Sequence, residues 1–402
     1  MGATLTTVSS LLKEIYESPL REQLNNDVVA LRRLEKTSDG VTSDTGGKYV
    51  TFPIHYKRNA GVGARLEGET LPVAGNQSTT TARVGLKYLY GAVGMSGQTF
   101  ELANTNPQAF MSSMDLELNG LKTDLAVDLN RQVYGNGIGA VAVINNAATS
   151  NSMTVKSTVW LQDGMQVDIT DATGVTVKAS NRAVSLINDT ALTFTYGGAA
   201  VALIVGDIVT RTGSSAQAVG NNREWTGLGA IIAASGTLYN VDPTVYPVWK
   251  SFVDSNAGTN RALSEGLMIN AVDQARRQGG NISVILCNLG VRRAYFNLLV
   301  QQRKFQGSKE FGGGFTGLTF TTDQGDIPIV TDIAAPYNTM VGITEKELKW
   351  YRIADWEFMN RDGSMWDRQA GVDGYTGTMY QYSELGTHRR NAHMVIQDIT
   401  EG

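Results

Sequence analysis

The sequence predicts an α+β fold, and three observations carry that prediction. Phe110, Met114, Leu118, Leu121, Leu125, Leu129 and Val133 recur at steps of three or four, the spacing of one helical stripe. Residues 150–222 are dominated by Thr, Val, Ala, Ser and Gly, with short alternating runs such as MQVDIT, ALTFTY and GDIVTR and no helical period. From 225 onward, amphipathic stretches alternate with short apolar runs, as in an α/β unit.

In chain order, SSLLKEIYESPLREQLNNDVVALRRLEK (9–36) carries the helical spacings Leu11, Leu12, Ile15 and Val28, Leu31, broken at Pro19. It reads as an amphipathic arm rather than a domain. KYVTFPI (48–54) puts Val50, Phe52 and Ile54 on one face, and ARVGLKYLYGA (82–92) does the same with Val84, Leu86, Tyr88 and Tyr90. The two read as strands of one hairpin. The segment between them has almost no apolar content and exceeds the roughly 12–15 residues above which a structureless loop is functional or disordered. Asn106 and Pro107 then offer an N-cap and a first-turn proline, and Gly135 a C-terminal cap, for a helix of about 28 residues and roughly 42 Å.

The 150–222 block reads as a small all-β insertion. SEGLMINAVDQARRQGG (264–280) is a capped amphipathic helix, ISVILCN (282–288) a buried strand and GVRRAYFNLLVQQ (290–302) a second helix. LKWYRIADWEFMN (348–360), TGTMYQYSEL (376–385) and AHMVIQDI (392–399) are strand-like and are expected to rejoin the sheet beside the long helix.

The 402 residues suffice for two or three cores. With 34 Lys+Arg against 38 Asp+Glu, the net charge of −4 argues against a general nucleic-acid or membrane-surface binder. The longest apolar stretch, GGAAVALIVG (197–206), falls far short of the about 20 residues that cross a bilayer. MGATLTTVSS lacks the basic start and apolar block of a secretory signal. The single cysteine, Cys287, rules out a disulfide within the chain and reads as a buried thiol.

Chemistry-bearing patterns are weak throughout. GVGARLEGETLPVAG (61–75) has the glycines of a phosphate loop at Gly61, Gly63 and Gly68, but no buried strand runs into it, no helix starts on it, and Glu67 and Glu69 would repel a phosphate. FGGGFTG (311–317) opens no helix and reads as a flexible loop. His388 and His393 are five apart, which does not place two metal ligands on one helix face; with Arg389 and Arg390 they read as a solvated turn. Asp323 and Asp326 suit a self-capping turn, and Glu345 and Glu347 a charged face. The pairs Arg32-Arg33, Arg276-Arg277, Arg292-Arg293 and Arg389-Arg390 lack interleaved aromatics, which favours protein contacts over nucleic acid. No catalytic, cofactor-binding or metal-ligating set can be assigned.

This order of arm, two-stranded loop, long helix, glycine-rich α/β part and returning strands closely resembles the tailed-bacteriophage major capsid proteins of the Hong Kong 97 fold. The stretches SPLREQLNNDV, EGETLP, YPVWKSFV, GVRRAYFNLL, RIADWEFM and YQYSELGTHRRNAHMVIQDIT are similar to the actinobacteriophage branch. The resemblance implies an N-terminal arm (1–45), an extended two-stranded loop (46–97), a peripheral domain with a spine helix (98–149) and a β-rich insertion domain (150–222). An axial α/β domain (223–345) and C-terminal strands rejoining the peripheral and axial domains (346–402) complete it.

It further implies a structural, non-enzymatic protein with no cofactor and no membrane contact. Hexamers and pentamers would form an icosahedral shell that encloses double-stranded DNA without sequence-specific binding, assembled in the host bacterial cytoplasm and found in the virion. A portal protein would be a partner. The arm follows Met1 directly, without the long coiled coil of members that build in their scaffold, which leaves room for separate scaffolding and decoration proteins.

The loop would lie across a neighbouring subunit, with Arg58, Arg65 and Arg83 set against Glu67 and Glu69 as the intersubunit contact. Encapsulin shells share the fold and are the near alternative. An α/β enzyme with a β accessory domain is the alternative from another class.

Overall fold

The computed structural model describes residues 27–38, 49–98, 107–215, 222–303, 318–322, 325–353, 355–360 and 364–402; for 107–116 and 300–303 it describes the backbone alone. Most of the arm, the Asn106 cap, Asp323 and FGGGFTG lie outside these residues.

Pro107–Tyr134 is one helix of 28 residues. Leu125, Leu129 and Val133 face the core as their spacing predicts. From Asp128 to the end, however, the polar residues are buried as well: Asp128, Asn130, Arg131 and Gln132 are all nearly inaccessible. Gly135 ends the helix, its N–H returning to the Gln132 carbonyl at 3.0 Å. The left-handed residue falls two positions later, at Gly137 (φ 87°), so Gly135 is not itself the left-handed cap expected. Its carbonyl instead accepts from Gly229 N at 3.0 Å, where the returning chain lies so close that a Cβ on Gly227 would collide with the carbonyls of Gln132, Val133 and Gly135.

Two polar junctions explain the buried faces. In the first, Arg131 donates to Asp128 (3.0 Å), to Glu224 (2.6 Å) and to the Ala140 carbonyl (2.9 Å), while Arg211 lies 3.2 Å from Asp128. Gln132 donates to Asp128 and accepts from Trp225 N. Burial opposes charge here, but opposite neighbours outweigh it at Arg131, held above its usual range, and at Asp128, held below. Glu224 has Asp128 as a like charge nearby, and burial pushes it up. In the second junction, Asp332 accepts from Asn130, Ala30 N, Tyr134 and Ala334 N, and Asn130 accepts from Leu31 N. The segment Val29–Arg33 is thereby fixed to the long helix.

A six-stranded mixed sheet runs in the order Phe252–Asp254, Met394–Ile396, Met340–Ile343, Val284–Cys287, Gly325–Thr331, Leu318–Thr322. Its strands alternate between two cores. Val284, Leu286, Val341, Ile343 and Val395 pack with Leu129, Val133 and Trp225, while Ile285, Cys287, Met340, Met394 and Ile396 pack under the helix Glu265–Arg277. Both faces are covered, which is why VILC reads as a continuous apolar run. Ser264 caps that helix by accepting from Leu267 N. Cys287 is fully buried, and burial pushes its thiol up to about 12.

A second sheet centres on Gly374–Thr387. One edge of this long strand pairs with Lys87–Ser96, the other with Leu348–Arg352, Glu357–Phe358 and Asp367–Arg368 in turn; Glu35–Thr37 extends it in parallel beside Leu348–Arg352. Gly91 lets this sheet close on Leu121 and Leu125 of the long helix. Two of the three C-terminal stretches therefore rejoin the sheet beside the helix. The third does not: Met394–Ile396 joins the mixed sheet, since MVI is apolar on both faces and only that sheet buries both.

The β unit is a sheet in the order Ala140–Val143, Ile208–Arg211, Gln166–Thr170, Val177–Asn188, Thr193–Tyr196, Ser152–Thr154, with the pair Ala148–Ser150 and Val201–Leu203 beside it. It has its own core around Ile144, Met153, Ile169, Phe194 and Tyr196. The compositional boundary at 150 lies inside this unit, whose first strand starts at Ala140. AVAV is as apolar as a core strand elsewhere, so composition does not mark the edge.

We expect Arg131→Met to destabilise the unassembled subunit by about 3–5 kcal/mol, because it strands two buried carboxylates. Denaturant unfolding measures this, and a loss below about 1 kcal/mol would show that the ion cluster does not fasten the β unit to the helix.

Candidate intersubunit interface

The predicted hairpin forms from Tyr49–Lys57 and Ser78–Gly85, with a bulge where His55 pairs Thr79 and Lys57 pairs Ser78. Its base has a core: Val50, Val84 and Leu86 pack on Tyr351, and Arg83 N donates to the Tyr239 carbonyl. The stretch 82–92 is not one strand. At Leu86 the chain passes to Lys87–Ser96 in the other sheet, so Val84 and Leu86 are buried while Tyr88 and Tyr90 are 60% and 50% exposed.

Past Lys57 and Ser78 the two limbs carry no ladder. They approach closely where Gly61 faces Gly75: a Cβ on Gly61 would lie 2.7 Å from the Val73 carbonyl, and one on Gly75 would overlap Asn59 Oδ1. Asn59 accepts from Gly61 N at 2.7 Å. The tip is a tight turn in which Glu69 N donates to Leu66 O (3.2 Å), Glu69 accepts from Leu66 N (3.0 Å) and Gly68 takes φ 83°. These glycines serve close chain approach and turning, which accounts for a glycine pattern with no phosphate chemistry around it.

The five contact residues read from the sequence fall in three places. Arg65, Glu67 and Glu69 share the exposed tip, where Arg65 is engaged by the carbonyls of Thr70 and Ala64. Arg83 lies on the strand with its guanidinium 5.5 Å from the Tyr49 ring. Arg58 sits at the hairpin root, on a cleft of about 400 Å³ also lined by Lys57, Trp249, His388 and Arg389.

The expectation of an almost apolar-free loop is corrected. Val62, Leu66, Leu71 and Val73 project from it, 76–87% exposed. Their irregular spacing fits neither period 2 nor 3.6, so a search for helix or strand faces passes over them.

The solvated turn expected at 388–393 is also corrected. His393 is fully buried; Thr344 N donates to its Nδ1 and its Nε2 donates to Thr387 Oγ1, and burial pushes its pKa down to about 3. Arg390, likewise buried, donates to the carbonyls of Ala230, Ile231, Ser235, Gly236 and Trp249, and burial pushes it down to about 10. Five carbonyl dipoles meet the charge that a carboxylate meets elsewhere. His388 is at the surface, bonded to Tyr351 Oη at 2.7 Å and edge-on to Phe52.

Where the hairpin joins the body, Glu384 is buried and accepts from Thr226 N (2.7 Å), Leu385 N (3.0 Å) and Thr226 Oγ1 (3.3 Å). Burial pushes its carboxyl up to about 8 against the pull of Lys87, which donates to the Asn222 carbonyl. Among the described residues no group of three or more His, Cys, Asp or Glu is placed to hold a metal ion, and no helix is long and apolar enough to cross a membrane.

A projecting glycine-rich hairpin, a spine-like helix and a mixed sheet with an inserted β unit define the capsid subunits of the Hong Kong 97 fold. The capsid asymmetric unit of Cyanophage A-1(L) matches with a TM-score of 0.63 at 13% identity, over 99% of this chain and 100% of that one. The capsid of the native GTA particle computed with C5 symmetry matches with a TM-score of 0.52 at 9% identity, over 100% and 99%. No curated protein matches the sequence. The model of the SU10 major capsid protein family matches residues 180–400, more than half of the chain, and the chain belongs to that family. It is a tailed-phage major capsid protein, a virion component that assembles with copies of itself, and its work is structural rather than enzymatic.

Since the folded pKa of Glu384 lies above its usual 4.5, the folded subunit keeps a proton that the unfolded chain has released. Its contribution is full below that value and lost as pH rises through about 8. His393 has the opposite sign, its contribution present above 6.5 and lost as pH falls. Between about pH 6.5 and 9 the subunit should therefore lose stability, and Glu384→Gln should flatten the loss by the order of a few kcal/mol. Equal slopes for both proteins in urea unfolding across that window would sink this assignment.

Proposed function

We propose that copies of this chain join as hexamers and pentamers into a closed icosahedral shell around double-stranded DNA. The observation that carries this reading is the loop tip, four apolar side chains held 76–87% exposed on a segment without a core. Fully burying such side chains is worth about 1.5–3 kcal/mol each, so the tip finds its stability on another chain. In this reading 1–45 is the arm, 46–97 carries the loop whose tip beyond Lys57 and Ser78 lies on a neighbour, the peripheral domain runs from 98 to the start of the β unit, and that unit, from Ala140 to 222, is an outward insertion. Residues 223–345 form the axial domain, and 346–402 return to both. Of the five residues read from the sequence, Arg58, Glu67 and Glu69 line the contact, while Arg65 shapes the turn and Arg83 braces the strand behind it. The net charge of −4 suits enclosure of DNA without sequence readout. Assembly takes place in the host bacterial cytoplasm, with a portal protein and, where used, scaffolding and decoration proteins.

The contact is non-covalent. An isopeptide bond needs an amine at the loop tip, and from Asn59 to Leu86 there is no lysine. Lys57 and Lys87 stand at the two roots, and Lys87 is committed to the Asn222 carbonyl.

Replacing 60–78 by a tight turn should leave a soluble, folded subunit, because that stretch contributes no residue to the buried core, but should abolish shells in negative-stain micrographs. Shells of normal size from this variant would refute the reading. Wild-type shells boiled in detergent should run as one monomer band; a ladder that survives denaturant would show covalent joining, with Lys57 and Lys87 the first sites to inspect by mass spectrometry.

A further inference from the structure

The cleft at the hairpin root has a composition that the contact proposed above leaves unexplained. Lys57, Arg58 and Arg389 line it with His55 and His388, and none of its lining residues is acidic. Lys57 and Arg58 are exposed; Arg389 donates to the Gln278 carbonyl at 3.1 Å and lies 4.0 Å from Glu347. Pro53, Val248 and the buried Trp249 give the cleft an apolar wall, which strengthens a charge pair by excluding water. Its volume of about 400 Å³ admits a tight turn but not a folded domain.

The tip of the same hairpin has the complementary character. Glu67 and Glu69 flank Gly68 on an exposed turn, and Arg65, the cation beside them, is engaged by two backbone carbonyls. Eight residues separate Lys57 from Leu66, a limb of at most about 30 Å, and the close approach of Gly61 and Gly75 holds the two limbs together along it. A copy therefore presents the acidic turn and the basic cleft at opposite ends of one projecting element.

We infer that the Glu67-Gly68-Glu69 turn of one copy seats in the Lys57/Arg58/Arg389 cleft of the next. The inference rests on the proposed loop contact and names where the loop lands. Donor and receptor patches differ, so the contact is head-to-tail, and identical head-to-tail contacts close into a ring when their rotation divides the circle. Of the five residues read from the sequence, the two glutamates enter the neighbour and Arg58 receives them. Arg65 shapes the turn, and Arg83 stays on its own strand over Tyr49.

Charge exchange tests this on the full chain. Lys57→Glu with Arg58→Glu should lower the fraction in shells by about tenfold in sedimentation at low salt, and Glu67→Lys with Glu69→Gln, whose amide oxygen still accepts from Leu66 N, should do the same. All four substitutions together should restore assembly to within about twofold of wild type. All these side chains are exposed, so far-ultraviolet circular dichroism should show every variant folded. If the loop-shortened variant still forms shells, the proposed loop contact itself fails. If shortening blocks assembly but the two double variants assemble normally, or the fourfold variant is not restored, the seat named here is wrong while the loop contact stands. Shells of the Lys57→Glu, Arg58→Glu variant that form normally yet retain less DNA would assign the cleft to phosphate and overturn the inference.

Discussion

The ion cluster at the end of the long helix is the constraint on which the remaining arrangement depends. Asp128 and Arg131 come from the helix, Glu224 from the returning chain, and Arg211 and the Ala140 carbonyl from the two ends of the β unit. Four segments thus share one set of charges in which Asp128, Arg131 and Glu224 are buried and Arg211 reaches in from the surface. Such a set is a poor source of net stability, because desolvation offsets most of the attraction. It ties the segments together because moving any one of them away would leave Asp128, Arg131 or Glu224 buried without a partner it has here. The crossing of Gly227 over the helix end depends on the same placement, since it brings a backbone where a side chain would not fit.

Asp332 plays the matching part on the other side of the helix. It follows a strand of the mixed sheet, receives donors from the long helix and from Val29–Arg33, and its own N–H donates to Cys287 O at 3.0 Å. The helix is therefore held between the β unit on one polar junction and the mixed sheet on the other. That rigid body is what allows the hairpin to project: Ile54, Ala82, Val84 and Leu86 anchor its base, while no residue from Arg58 to Ser78 belongs to the buried core.

The parts that sequence disclosed are those in which one physical effect decides. The helix length follows from an uninterrupted apolar stripe between Pro107 and Gly135, and the mixed-sheet strands from apolar runs too short to be helices. The loop is visible because no period organises it. What stayed hidden depends on tertiary neighbours. RRNAH looks hydrophilic, yet Arg390 and His393 are among the most buried residues, because backbone carbonyls and hydroxyls from distant segments satisfy them. Nothing in the sequence marks Asp128 to Gln132 as buried, because the segments that cover them, around Arg211 and Glu224, lie far along the chain. At the interface, the charged residues were legible as types but not as places. The apolar tip was missed because exposure, not composition, is what makes Val62 and Leu71 unusual.

The β unit leaves and rejoins the body through neighbouring strands, Ala140–Val143 paired antiparallel with Ile208–Arg211. This geometry bears on how the subunit reaches its native state. Arg131 and Glu224 are 93 positions apart, and bringing them together from an open chain means closing a loop of that size. Once the β unit has folded, its two ends are already side by side and the effective loop shrinks to about two dozen residues, which lowers the closure cost by roughly 1 kcal/mol. A ribosome also delivers the unit before residue 222 is made. Chain order and topology together favour a sequence of events in which the inserted unit, peripheral to the architecture, prepares the closure of the body that carries it.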